Sequence, residues 1–443
     1  PRSAVFAPIP ELRVIVVDEE HDSSFKQEEG VRYHARDVAL VRAREVGALA
    51  LLGSATPTLE TFEQARAGRY RYLRLNARPT PRPLPDVEIV PLSVHRPDPE
   101  TLVTARLRAA LRDAVAAGEQ AILFLNRRGF ATTLVCSKCG ALHACPDCSA
   151  PSMTYHLGRN RLMCHLCGHI EAPPERCPSC GEGELLHGNA GTERIEVALA
   201  AELPNVRFLR LDRDTSRGRA LLDTLARFRA READVLVGTQ MLAKGHDFPG
   251  VTLVGILQGD HGLGLPDLRA AERTFQLLTQ VAGRAGRGDR PGRVLIQAFA
   301  VGHPAIAAAA RHDYEGFAAW ELERRRELQN PPFGHLALVR VQGGEADAVE
   351  RRAEDLAARA RAHLAEIAAK HPEGEDPPIA CLGPVASPIE RINRRTRWQL
   401  LLRARARPPL RWLLRQLRPH LGPEGSGPRQ THALIDVDPQ TLL

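Results

Sequence analysis

The sequence has 443 residues, 43% of them apolar and 26% charged, which excludes a disordered or fibrous chain and leaves room for two to four folded domains. Lys+Arg exceed Asp+Glu to give a net charge of +7, yet only four of the sixty cations are lysines: Lys26, Lys138, Lys244 and Lys370. An arginine skew of that kind follows from a GC-rich genome as readily as from phosphate binding, so charge alone says little about nucleic acid.

No apolar run approaches the roughly 18 residues that cross a bilayer, and the amino-terminal PRSAVFAPIP lacks a secretory pattern. A cytoplasmic protein without membrane contact is expected. Because position 1 is proline, the chain is also expected to be the carboxy-terminal part of a longer protein.

From 12 to 22, LRVIVVDEEHD reads as a buried parallel strand that ends in a cluster of carboxylates, and LALLGSAT at 49–56 reads as a second. The proline-rich stretch RPTPRPLP (78–85) follows and reads as an extended linker. It closes a first unit, 1–78, whose two strands are too few to bury a core on both faces, so further upstream sequence is expected to complete it. The strand form then recurs at 121–129 (AILFLNRRG), 206–212 (VRFLRLD), 234–240 (DVLVGTQ), 251–257 (VTLVGIL) and 294–299 (VLIQAF), with helical patterns between. Such alternation predicts an α/β fold with a doubly wound parallel sheet, whose ligands lie beyond the carboxyl ends of the strands. This second unit divides into 79–135 and 183–305 around a cysteine-rich insertion, 136–182. After 305 the order strand, helix, strand, helix, strand predicts a small α+β domain, 306–443.

Eight of the nine cysteines form four C-x-x-C pairs: Cys136/Cys139, Cys145/Cys148, Cys164/Cys167 and Cys177/Cys180. In a reducing compartment such spacing points to metal rather than disulfides, and eight thiolates make two tetrahedral zinc sites. Joining the middle pairs gives C-x(2)-C-x(15)-C-x(2)-C, the spacing of a zinc ribbon. The outer pairs then close a second site around it. A cross-braced and a sequential pairing are the alternatives, the sequential one being cramped by five residues between its knuckles. With four thiolates on each zinc no position stays open for water, so the ions are expected to be structural.

The first strand ends in Asp18-Glu19-Glu20-His21. A nucleoside triphosphatase needs one carboxylate to hold magnesium and a neighbour to orient the attacking water, roles that suit Asp18 and Glu19. Gly53-Ser54-Ala55-Thr56-Pro57 follows the next strand, and TQVAGRAGRG at 279–288 presents Gln280, Arg284 and Arg287 at one-turn spacing on a helix. A turn and a solvated basic helix face are the plainer readings of these two segments.

Taken in order, DEEH, GSATP, GTQMLAKGHDFPGV and QVAGRAGR resemble the motifs of superfamily 2 helicases. The cysteine block between AILFLNRRG and GTERIEVALAAELPNVRFLRLDRDT, with LGPVASPIERINRRTRWQLLLR and the terminal IDVDPQTLL, is similar to one family among them, the PriA (primosomal protein N′) replication restart helicases. The resemblance implies RecA-like helicase lobes, the first partial and the second complete, a two-zinc ribbon-type insertion and a carboxy-terminal DNA-binding domain. It implies an ATP-dependent 3′-to-5′ DNA helicase that binds forked and single-stranded DNA, recognises stalled or recombination forks, and promotes primosome assembly and reloading of the replicative helicase. Primosome proteins and single-stranded DNA-binding protein are the partners it implies.

Residue by residue, Asp18 and Glu19 match the magnesium and water-activating pair, and His21 matches the residue that couples this site to the second lobe. Residues 23–37 (SSFKQEEGVRYHARD) match a loop that senses single-stranded DNA, where Phe25, Tyr33 and His34 are base-stacking candidates and Val31 replaces an aromatic. Thr239, Gln240, Lys244 and His246 match a second-lobe motif near DNA and nucleotide; Arg284 and Arg287 match the arginine-finger helix. In ERINRRTRW, Arg391, Arg394, Arg395, Arg397 and Trp398 combine an aromatic with a dense basic run and are expected on a DNA surface.

No G-x(4)-G-K-[ST] occurs in these residues, and QGDHGLGLPD at 258–267 departs from a family segment that is usually more acidic. The chain is therefore expected to need an upstream region to complete its ATP and magnesium site, and to be inactive as a hydrolase without it. The alternative reading is a fork-DNA-binding loader that keeps the fold without unwinding DNA.

Overall fold

The computed structural model describes residues 2–75, 82–125, 134–136, 143, 145–146, 153–156, 160–164, 169–178, 180–182, 185–187, 192–211, 219–243, 247–264, 267–368 and 379–442. In the first unit, strand β1 (Val14–Asp18) runs parallel to β2 (Leu49–Gly53) and is joined to it by helix α1 (Ala35–Val46). Gly47 ends α1 in the left-handed conformation, φ 69°, where a side chain would be strained. Helix α2 (Leu59–Arg66) follows, its first turn capped by the Thr58 hydroxyl, which accepts from the Thr61 N–H.

The second unit is built on six parallel strands. They are β3 (Asp86–Pro91), β4 (Gln120–Leu125), β10 (Phe208–Leu211), β11 (Val235–Gly238), β12 (Val251–Leu257) and β13 (Arg293–Ala298), in the spatial order β10-β11-β4-β12-β13-β3. Helix α3 (Ala105–Ala116) leads into β4. Between β4 and β10 lie the short insertion strands β5 (Leu134–Cys136), β6 (Met153–His156), β7 (Arg161–Cys164), β8 (Ile170–Glu171) and β9 (Leu185–His187), then α4 (Thr192–Glu202); α5 (Arg219–Arg229) and α6 (Ala270–Ala282) cross over later. Alternation along the strands feeds two cores. Leu123, Leu125, Val235 and Val237 pack on α3 and α4 through Leu107, Leu111, Ile195 and Leu199, while Ile122, Phe124, Val254 and Ile256 pack on α6 through Phe275 and Leu278. Strand β3 is absent from the sequence-based expectation: DVEIVP is broken by acidic residues and ends in proline, a composition that suits only an edge, and an edge is where it lies.

Helices α7 (Pro304–Ala310) and α8 (Tyr314–Glu327) revise the expected boundary at 305/306. Ala305, Ile306 and Phe317 are buried in the same core as α6, with Phe317 stacked on Phe275 at 4.4 Å and parallel planes, while Ala318 and Leu322 bury Leu59 and Phe62 of α2. Both helices therefore pack with the parallel sheet, and α8 holds the first unit against the second.

The carboxy-terminal unit is an antiparallel sheet of β14 (His335–Gly343), β15 (Ile379–Ile392), β16 (Arg395–Ala404), β17 (Gly422–Glu424) and β18 (Thr431–Val437), ordered β15-β16-β14-β18-β17, with α9 (Ala346–Ala368) and α10 (Arg407–Leu417) on one face. The expected order of strand, helix, strand, helix, strand is corrected in its middle. The long segment is a hairpin, because Asn393 (φ 52°) and Arg394 (φ 60°) supply the two left-handed residues of a tight reversal.

Candidate functional site

Asp18 stands opposite Gly53 in the β1–β2 register, so the loops leaving both strands rise side by side. At Glu19 the backbone turns left-handed (φ 49°), a conformation costly for a glutamate and concentrated at functional positions. The Glu19 N–H donates to Asp18 Oδ1 (3.0 Å) and the Glu20 N–H to Gly53 O (3.0 Å). This kink sends four consecutive residues to different tasks. Glu19 is half exposed, whereas Glu20 is 1% exposed and accepts from Arg36 Nη1 (2.9 Å), Thr58 N (2.6 Å) and Thr61 Oγ1 (3.1 Å). Glu20 therefore fastens the loop after β2 and is out of reach of a substrate.

His21 bridges the two units. Its Nδ1 lies 2.7 Å from Ser54 Oγ and its Nε2 lies 2.8 Å from Gln280 Nε2. With the Gln280 amide donating, Nε2 accepts and the ring proton sits on Nδ1, donated to Ser54. Gln280 is one of a row on α6: Glu272, Gln276 and Gln280, four residues apart, share one helical face. Leu59 N donates to Glu272 Oε1 (3.0 Å), Gln276 Nε2 donates to Thr56 O (3.3 Å), and Gln280 reaches His21. The expected helical placement of Arg284 and Arg287 is corrected, because α6 ends at Ala282 and both lie in the turn and loop after it; Arg284 is buried. Burial and then Arg287 hold its guanidinium down at about 10, while Glu19 and Asp247 pull the other way. Arg287 is half exposed, donates from Nε to Gly283 O (2.9 Å) and pairs with Asp247 (3.5 Å).

Behind this row is a buried charged cluster. Arg325 Nη2 donates to Glu272 Oε2 (2.8 Å) and its Nε to Glu321 (3.0 Å), and Arg269 pairs with Glu60. The arrangement brings the Asp18 and Glu19 carboxylates, a histidine relay and a guanidinium to the junction, or cleft, between two α/β units.

Family models match three stretches of the chain: the helicase conserved C-terminal domain at 189–289, the PriA DNA helicase Cys-rich region at 145–171 and the primosomal protein N C-terminal domain at 326–440. The replication restart protein PriA of Bacillus subtilis is 43% identical over 439 residues, 99% of this chain and 53% of that protein. Those of Treponema pallidum and Haemophilus influenzae are 40% and 37% identical over 442 residues each, all of this chain and 64% and 58% of theirs. The chain belongs to the PriA family. It spans between about half and two thirds of the length of these PriA relatives.

The match to the PriA Cys-rich region, 145–171, holds strands β6 to β8, and β5 and β9 lie on either side of it. Antiparallel pairing joins β5 to β9 with Cys136 opposite Leu185, and β6 to β7 with Met153 opposite Cys164. Of the expected zinc ligands, Cys145 and Cys177 are buried, while Cys139, Cys148 and Cys167 lie outside the described residues. Cys180 is half-buried in the turn that the Gly181 N–H closes onto Cys177 O (2.8 Å). Ligand geometry and deprotonation are set together when a metal binds, so the place of Cys180 in the outer site belongs to the proposal below. His143 and His169 share the Glu171 carboxylate at 2.6 and 3.1 Å, a link that holds β8 to the start of the inner loop.

Of the other sequence-derived candidates, Lys244 and His246 lie outside the described residues, Thr239 follows the end of β11 half-buried, and Gln240 opens the short turn Gln240–Ala243. Phe25 and Tyr33 are half-buried, Tyr33 edge-on to Phe6 at 5.0 Å. His34 is corrected: it starts α1, bridged to Lys26, and is buried beside Phe25, so its ring is closed to a base; burial and Arg36 hold its pKa down at about 4. Trp398 is corrected as well, because it packs into the carboxy-terminal core with α9. Arg391, Arg394 and Arg395 are exposed. Arg397 is buried on the sheet face opposite the helices, where it lines a cleft of about 320 Å³ with Arg340, Gln342 and Arg395.

The sequence reading gave Ser54 no role of its own and passed over Glu272 and Gln276. The four-residue spacing of Glu272, Gln276 and Gln280 was the signal available for the last two, since it puts them on one side of α6.

Proposed function

We propose that this chain supplies one wall of the nucleotide site, the second motor lobe, a two-zinc insertion and a DNA-binding domain to a 3′-to-5′ DNA helicase of replication restart. The single observation that carries the reading is the Gln280–His21–Ser54 chain. It links the carboxylate loop of one unit to the helix that leads into Arg284 in the other within hydrogen-bonding distance. A loader that only binds fork DNA does not call for that link.

Asp18 and Glu19 suit a magnesium ion and the attacking water, and Arg284, facing Glu19, suits the charge that develops on a transferred phosphoryl group. ATP bound here would supply the phosphoanhydride whose hydrolysis drives movement. Glu19 is exposed enough to meet water, while the left-handed turn holds it apart from Glu20. The β- and γ-phosphates require a backbone cradle and lysine, and these residues contain no such motif. Binding of forked DNA, assembly with primosome proteins and single-stranded DNA-binding protein, and a cytoplasmic setting belong to the same proposal; among the described residues no helix is long and apolar enough to cross a membrane.

The cysteine pairs fit two structural zinc ions by their donor chemistry. The strand pairing supports the nested arrangement. The outer knuckles, Cys136/Cys139 and Cys177/Cys180, flank one end of the β5–β9 ladder, and the inner knuckles, Cys145/Cys148 and Cys164/Cys167, flank one end of the β6–β7 hairpin. Zinc bound there would cross-link the ends of these short strands.

The decisive experiment is ATP hydrolysis by the longer protein with and without single-stranded DNA. Glu19→Gln is expected to abolish DNA-stimulated turnover while leaving DNA affinity unchanged, and the 443-residue chain alone is expected to turn over little or none. Unimpaired turnover in the Glu19→Gln protein would overturn the assignment.

A further inference from the structure

Lys26 is 4% exposed, and the acceptors around its ammonium come from the far end of the chain. Its Nζ lies 2.7 Å from Asp436 Oδ1 and donates to Val437 O (2.8 Å) and Asp438 O (3.3 Å). Lys26 is also the base of the loop 26–34, bridged to His34 and holding Arg2 on its carbonyl at 2.6 Å. Only five positions separate it from His21.

The same segment then crosses to the other unit. Asp438 turns left-handed (φ 51°) with its N–H on Leu336 O, and the residues after it run to the amino-terminal end of α6. There Asp267, its carboxylate buried, accepts from Thr441 Oγ1 (2.8 Å), Leu442 N (3.4 Å) and Arg269 N (2.9 Å), and pairs with Arg273 (3.1 Å). Arg273 in turn donates to Gln440 O. Thus seven consecutive residues, 436–442, touch both halves of the cleft. One contact is just after His21, and the other opens the helix that carries Gln280 and leads into the turn of Arg284.

We infer that residues 436–442 are a clasp through which the carboxy-terminal domain sets the spacing of the two lobes, with Lys26 and Asp267 as its positioning residues. The cleft is closed at two points, His21–Gln280 within it and the clasp outside it. A buried ammonium with three acceptors resists displacement, because an uncompensated charge in that setting is strongly unfavourable. Whatever shifts β18 therefore moves the loop after His21 and the start of α6 together. The functional meaning of the clasp rests on reading the cleft as the hydrolysis site; its mechanical role does not.

The test uses the 443-residue chain, hydrogen exchange, and the distance distribution between probes at Arg66 on α2 and Arg112 on α3. Lys26→Met is expected to speed exchange of residues 23–34 at least tenfold, to speed that of 267–273 as well, and to broaden the interlobe distance. Lys26→Arg restores most of the protection. A chain ending at Asp438, which keeps β18 whole and so guards against a folding defect, is expected to loosen 267–273 and broaden the distance. If exchange changes only within 431–438 and the interlobe distance stays unchanged in both variants, the clasp is refuted. The hydrolysis reading fails separately, through Glu19→Gln, and that result moves neither of these readouts.

Discussion

Replacing Glu20 by Gln tests whether two adjacent glutamates really have unlike duties. The substitution keeps the shape but removes the charge facing Arg36 at 2.9 Å, in a pocket where Glu20 is 1% exposed. Burial disfavours the Arg36 guanidinium, and Asp37 together with Glu20 outweighs that and raises its pKa. Taking one partner from a buried pair typically costs about 3–5 kcal/mol. Asp37 remains on Arg36 Nε at 2.9 Å and a glutamine oxygen can still accept from Thr58 N, so the loss belongs near the lower end, about 3 kcal/mol. Since each 1.4 kcal/mol is tenfold, hydrogen exchange in α1 and in residues 54–61 is expected to quicken by roughly a hundredfold. Glu19→Gln, changing a half-exposed side chain, is expected to leave the same amides untouched. Equal exchange in the wild type and the Glu20→Gln protein, or equal losses in both variants, would show that Glu20 is not a structural carboxylate.

Other outcomes follow from the same geometry. His34 has a folded pKa of about 4 against an ordinary 6.5, so the unfolded chain binds its proton first. Stability is expected to be fully present above pH 6.5 and to fall by up to about 3 kcal/mol as pH drops toward 4; denaturation of His34→Gln at pH 5 and 7.5 should show a smaller difference than the wild type. Reversing Arg394 and Arg395 to Glu is expected to weaken single-stranded DNA binding and flatten its dependence on salt, whereas Trp398→Leu is expected to lower stability and spare the salt slope; fluorescence titration at several salt concentrations separates the two. Elemental analysis is expected to return two zinc ions per chain, and Cys164→Ser is expected to lose protection across the whole insertion rather than at one knuckle. Cys180→Ser is expected to lower the zinc content by one and to loosen the β5–β9 end first. A zinc content near one in the unmodified chain would rule out the nested pair of sites.

Much of the parallel sheet is legible in the sequence because its strands are buried on both faces: VLVG and VTLVGIL have no solvated side to confuse with a helix. The edge strand Asp86–Pro91 is not legible, since its residues are mostly only half-covered and their composition follows the solvent. The hairpin after β15 was hidden by its own charge. INRR looks like part of a basic run, and what makes it a turn is the backbone of Asn393 and Arg394, a conformation that many sequences share without adopting. In the cleft, Asp18, Glu19, His21 and Gln280 announce themselves by motif, but the separation of Glu20 from Glu19 depends on Arg36, Thr58 and Thr61. Those partners are set by tertiary packing and leave no local trace. His34 and Trp398 failed for a related reason: a ring beside arginines has the same spelling whether it faces a base or a core.

The contact between Lys26 and Val437 spans 411 residues. During synthesis the six-stranded parallel sheet and its two cores have their partners before β18 emerges, whereas β14 and β17 wait for β18, which lies between them. The loop at 26–34 waits as well. Its lysine, which ought to be inside, stays without its acceptors until residues 436–438 have been made, and a chain cut short anywhere before 436 retains a charged, unsatisfied residue five positions from His21. The structure thus ties the ordering of the loop after His21 to completion of β18, and a product that stops before that strand is left with the motifs in place and the loop unanchored.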